Sequence, residues 1–323
     1  FDWDETVVDM EIVRFTNADT GQNNIVIGSS DSNLSTGPNF YSNNSNGEIS
    51  ASTLLSSLAS ANSGVRPGYQ NANNQDGDLT VGAAIDFSSI SEGDNRKLTL
   101  RARDDVRVNQ TISGTVGSRL SVDMIANNDS NNGLTGAVEV NAAMDLQGGT
   151  LYAKGNSVTF GASVTAGPIT VLTTGATNVS APMTGTNINI TSSGATNVSA
   201  PMSGTNITIN SSSMTDVSAD MTGTNITFNT NGLTTTAPVT ASGTLALNNS
   251  GSWALGSALN AGTLNLGSST VDLEGDLNVD NSLGTDGTIN MLAGGTLETG
   301  TLEADTPQLN VDGGMLSLSS TDP

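Results

Sequence analysis

From residue 175 onward the apolar residues return at fixed distances. The segments GATNVSAPMTGTNINITSS, GATNVSAPMSGTNITINSS and SMTDVSADMTGTNITFNTN follow one another, so that Val179, Val198 and Val217 recur every 19 residues. Met183, Met202 and Met221 keep the same spacing, as do Gly185, Gly204 and Gly223, and Ile188, Ile207 and Ile226. With slight drift Gly243 and Gly262 continue the series. Inside each unit the pattern has period two: Ile188 and Ile190 point one way, Asn187, Asn189 and Thr191 the other. The pairs Leu245/Leu247, Leu264/Leu266, Leu277/Val279 and Leu316/Leu318 repeat it. Short strands, two or three per unit and separated by Gly, Ser, Asn or Asp, predict an all-β parallel solenoid. Each coil pairs with the coils on either side, stacking like residues into inward aliphatic columns and outward Asn/Thr ladders. At a rise of ~4.8 Å per coil, about 17 coils of this length would form a rod of roughly 80 Å.

Upstream the period blurs while the alternation persists. Asp78-Leu79-Thr80-Val81, Leu98-Thr99-Leu100, Val106-Arg107-Val108, Leu120-Ser121-Val122, Val138-Glu139-Val140 and Val158-Thr159-Phe160 all read as strands. Ser50 to Leu58 is a helix candidate, with Leu54, Leu55 and Leu58 on one face. Pro67 to Gly77 and Asn127 to Gly133 read as polar loops. The chain is therefore expected to be one elongated solenoid over 1–323: less regular coils over 1–77 with a short helix near 50–58, irregular coils over 78–174, and regular coils of about 19–20 residues over 175–323.

GEISASTLLSSLASANSGV, then GDLTVGAAIDFSS, then RKLTLRARDDVRVNQTISG, together with the repeats from Gly175, resembles the coils of filamentous-haemagglutinin-type bacterial exoproteins. The resemblance extends as a pattern over most of 47–323. It implies a right-handed parallel β-helix forming the repeat portion of a large bacterial surface or secreted adhesin. The implied partners are a glycan or protein on a host or neighbouring cell.

Composition narrows the chemistry. Aromatics make up 3% and charged residues 12%, and 28 Leu, 15 Ile, 22 Val and 6 Phe leave material for a thin core only. No His and no Cys removes His-based metal sites, Ser-His-Asp triads, thiolate chemistry and disulfides. A net charge of −22 disfavours nucleic acid and anionic membrane surfaces. No apolar run reaches the ~18 residues of a membrane-spanning helix. The opening Phe1-Asp2-Trp3 is expected to be a processed end or a cut within a longer chain.

Three constellations remain. Val271 to Asp280 reads as one acidic strand with Asp272, Glu274, Asp276 and Asp280 on a single outward face. This is first a solvated acidic surface. Its alternatives are a Ca²⁺ site, or a carboxylate pair at the ~6.5–7 Å separation that inverting glycosidases use. Parallel β-helix folds do host polysaccharide-cleaving enzymes, but residues 155–323 contain no Lys or Arg to assist the acids, and no catalytic residues or cofactor are assigned. Arg96, Lys97, Arg101, Arg103 and Arg107 could dock an anionic glycan, yet Asp94, Asp104 and Asp105 beside them favour mutual pairing. The Asn/Thr ladder reads as structural stacking rather than an ice-binding face, although Asn109, Asn178, Asn197, Asn206 and Asn225 also fit the Asn-x-Ser/Thr glycosylation pattern.

The expected function is an extracellular structural or adhesive rod, not an enzyme. A subunit that polymerises into a fibre or sheath and a carbohydrate-active enzyme are the alternatives. Neither end of the sequence offers a polar cap, so a further coil, from the same polypeptide or from another copy stacked end to end, is expected beyond the Leu316–Leu318 edge.

Overall fold

The computed structural model describes residues 24–35, 37–41, 46–66, 77–126, 136–248 and 252–265. Beyond 265 it describes the backbone of the strands and, among side chains, Leu277 alone. The chain is 61% strand and 5% helix and forms a parallel β-solenoid of about 11 turns. The expectation of 17 coils is corrected by the length of the early ones. Paired positions Leu79 and Val106 lie 27 residues apart, and Val106 and Val138 lie 32 apart, against 19 for Thr177 and Thr196. Eleven rises of ~4.8 Å give a rod of roughly 50 Å.

The first elements are β1 (Ile25–Gly28), β2 (Asn39–Tyr41), β3 (Gly47–Ser50), α1 (Ala51–Leu58) and β4 (Ser63–Arg66). Two full coils follow: β5 (Leu79–Val81), β6 (Ile85–Asp86) and β7 (Arg96–Arg101), then β8 (Val106–Val108), β9 (Ile112–Ser113) and β10 (Leu120–Ile125). Each coil has three sides. β5 pairs with β8, β6 with β9 and β7 with β10, all parallel. The same three ladders continue through Gln308–Val311, Met315–Leu318 and Thr296–Glu303. In the regular coils the corner between the second and third sides is taken without leaving strand geometry, so Met183–Ser192 spans both.

The alternation read from the sequence becomes the inside and outside of this tube. Val179, Val198 and Val217 are fully buried and stacked, as are Met183, Met202 and Met221. Ile188, Ile207 and Ile226 form another column, and Phe228 takes the place held by Ile190 and Ile209 in the next. At ~25 cal/mol per Å², such columns supply most of the stabilisation of coils that carry few long side chains. Where coils approach most closely the column is glycine: a Cβ on Gly204 would lie 2.9 Å from the carbonyl oxygen of Gly185 in the coil before it.

The N-terminal end departs from simple stacking. On the first side the spatial order is β3, β1, β5, because β1 pairs with both of the others. On the third side β2 lies beyond β4, which pairs with β7. The chain thus advances one level after β1 and returns through α1. Following β3 on the first side and preceding β4 on the third, α1 stands where a second-side strand would be, packed on β6 and β7. Leu54 and Leu58 are fully buried there and Leu55 packs partly buried against them. The predicted helix is therefore present, and it closes an end that the sequence had suggested was uncapped. Among the described residues, no helix is long and apolar enough to cross a membrane.

Two other expectations change. Val271–Asp280 is not one strand. Thr270–Leu273 belongs to the first side, and Asp276–Gly284 begins on the second. A coil of this cross-section must turn a corner after each short strand, which local alternation does not reveal. The loops expected at Pro67 to Gly77 and Asn127 to Gly133 lie, apart from Gly77, outside the described residues, as does the segment 1–23.

Candidate functional site

Charge gathers where β5, β8 and Ala137–Val140 stack. Burial of the Arg107 guanidinium works against its charge, but the Asp78 carboxylate, with Asp105 and Glu139, holds its pKa above the usual value. Arg107 Nη1 lies 2.7 Å from Asp78 and Nε 3.3 Å from Glu139, and Nη2 bonds Asp105. The carboxylates have further partners: Asp78 accepts from the backbone N–H of Asp105, and Asp105 from that of Ala137. Asp78, Asp104 and Asp105 bring carboxylate oxygens within 4.8 Å of one another, a spacing that suits a cation. The guanidinium already occupies two of the three.

The rest of the predicted basic cluster is also dispersed among local partners. Lys97 pairs with Asp123 at 3.2 Å and Arg96 donates to the carbonyl of Ala59 at the end of α1. Arg119, outside the predicted cluster, pairs with Glu92. Arg101 ends β7 with its side chain exposed. The pairing expected with Asp105 is found, whereas Asp78 and Glu139 are partners that the sequence hid behind insertions of unequal length.

The outward amides form ladders. Asn206 Nδ2 donates to Asn187 Oδ1 at 2.7 Å, and Asn225 to Asn206 at 2.9 Å. A second ladder runs from Asn248 to Asn229 to Asn210 at 2.8 and 2.6 Å, and a third bond joins Asn197 to Asn178 at 2.8 Å. The Asn189 to Asn210 bond, at 3.2 Å, crosses between columns. Each donation uses the nitrogen that an N-linked glycan would need, so Asn197, Asn206 and Asn225 are committed to the stack. Asn109 and Asn178 head their ladders, accepting through Oδ1 from Asn141 and Asn197.

Beside these ladders an open groove of about 440 Å³ crosses four coils between Thr184 and Ser242. Thr184, Ser203 and Thr222 line one wall, Thr205 and Thr224 the other, with Gly185, Gly204 and Gly223 between, and no lining residue is charged. A second cleft, of about 470 Å³, opens beside Glu48, Val26, Asn46 and Gly82 near the reversed end.

Of the acidic residues proposed for Ca²⁺ or catalysis, Glu274 lies outside the described residues, as do the side chains of Asp272, Asp276 and Asp280. Their backbones place Asp272 on the first side, and Asp280 where the register shifts between Val279 and Ser282. The four positions do not share one strand face. No protein-family model, curated protein or solved structure matches this chain.

Proposed function

We propose that this chain is a structural and adhesive rod at the bacterial exterior, the repeat portion of a large surface or secreted adhesin. The observation that supports it is the repetition of one cross-section for about 11 turns, with outward amides bonded to their counterparts one coil away. Such a design extends a surface along an axis rather than converging reactive groups on a point. The partner, a glycan or protein of another cell, would meet the uncharged hydroxyl groove rather than the ladders, whose amides are already engaged. A net charge of −22 keeps rods apart and steers them from anionic polymers.

Light scattering and negative-stain microscopy test this reading. Discrete particles roughly 50 Å long support the rod. Filaments growing from the same preparation would replace it with a polymerising subunit. Cleavage of neutral or acidic polysaccharides, abolished by Asp272→Ala or Glu274→Ala, would replace it with a carbohydrate-active enzyme.

A further inference from the structure

At the reversed end, two carboxylates cross between the same two segments in opposite directions. Glu48 lies on β3, and its Oε1 accepts the backbone N–H groups of Ser29 at 2.9 Å and Ser30 at 3.1 Å, just past the end of β1. Asp31 follows in the chain and reaches back. Its Oδ1 accepts the Ser50 N–H at 2.7 Å, and its Oδ2 accepts the hydroxyls of Thr53 at 2.6 Å and Ser50 at 3.3 Å. Ser50 is itself the N-cap of α1, accepting from the Thr53 N–H. Between the two carboxylates the backbones of Ser32 and Glu48 exchange hydrogen bonds in an antiparallel bridge. Gly28 makes room, because a Cβ there would collide with the Glu48 carboxylate.

We propose that Asp31 and Glu48 form an acid-released clasp that holds the reversed first turn of the stack closed. Elsewhere in the stack each turn is held by ladders and aliphatic columns, which do not titrate. Here β1, inserted out of order between β3 and β5, is tied to β3 and α1 by bonds that require ionised acceptors.

The protonation behaviour agrees with that geometry. The Asp31 carboxyl lies below its ordinary value, mainly through the Thr53 hydroxyl and then the Ser50 N–H. Glu48 is lowered mainly by the Ser30 N–H, helped by the Ser30 hydroxyl and the Ser29 N–H and opposed weakly by the charge of Asp31. A carboxyl lowered on folding stabilises the fold above its unfolded value and loses that contribution as pH falls through its folded one. The clasp therefore holds at neutral pH and weakens as pH falls below the ordinary values of 4.5 for Glu48 and 3.8 for Asp31.

Charged groups on the surrounding elements have other assignments. α1 and β1 carry none. On β4, Arg66 stacks over the Tyr41 ring of β2; Asp78, beside β5, binds Arg107. Asp86 on β6 accepts from Ser88 in its own turn. On β7, Arg96 reaches the opposite end of α1, Lys97 pairs with Asp123 and Arg101 is exposed.

The test is amide hydrogen exchange, read segment by segment and corrected for intrinsic rates. At pH 7 the Asp31→Asn/Glu48→Gln double variant should exchange at least about tenfold faster than wild type over 25–32 and 47–58. Its regular coils over 177–217 should be unchanged. Wild type at pH 3 should show the same local pattern. Asp86→Asn, which removes a lowered carboxyl bonded only within its own turn, should leave both segments at wild-type protection. Wild-type protection of the first turn in the double variant overturns the clasp. So does acid that loosens all coils equally, and this second arm decides the matter if the variant does not fold.

Discussion

Ile207 is fully buried, stacked between Ile188 and Ile226, so each methyl group removed there is lost from contacts with two coils at once. Ile207→Ala should cost ~2–5 kcal/mol, read as local loss of exchange protection because a repeat array need not unfold as one unit. Thr235 predicts the opposite sign. It occupies the column of Val217 and Leu255, is fully buried, and its hydroxyl has no hydrogen-bond partner. Thr235→Val keeps the shape and removes a buried unsatisfied group, so it should stabilise by about 1 kcal/mol or more, measured as a raised melting temperature. Both positions follow the 19-residue register, and the aliphatic columns were legible residue by residue. The Asn210, Asn229 and Asn248 ladder was not, because Asn210 and Asn229 sit among the Ser and Thr residues that mark corners in the sequence, and only stacking shows that their amides align.

At the scale of the element, glycine columns set how closely coils can nest. Gly204→Ala would press a Cβ against backbone, not against a yielding side chain, and should destabilise by ~1–3 kcal/mol, with protection lost first in the coils carrying Gly185 and Gly223. The short upstream strands and α1 were readable because alternation and an N-capped apolar face are local signals. Corners were less so: Asp272 and Asp276 fall on different sides because the coil turns between them. The Arg107 cluster was half legible for the same reason. Asp105 is two residues away, but Asp78 and Glu139 are 29 and 32 residues away, and no fixed period bridges the inserted segments.

Across the whole molecule, repetition made the architecture readable, while the count of coils failed because a single period was extended over insertions. The order of strands on the first side was beyond the sequence, since nothing local distinguishes a chain that climbs steadily from one that doubles back. That doubling back bears on the order of assembly. Each regular coil closes on its neighbour across 19 residues, but bonds of the first turn span 54, between Asn24 and Asp78. The longer closure is unfavourable by about 1 kcal/mol more, before any difference in contacts. Pulse-labelled exchange during refolding should therefore show coils 177–248 protected before 25–58, and simultaneous protection would contradict this order. β1 has no ladder to join until β5 exists, so a chain emerging from its amino-terminal side keeps that strand waiting for a partner not yet made. Of the residues described, the first in sequence are the last to find their place.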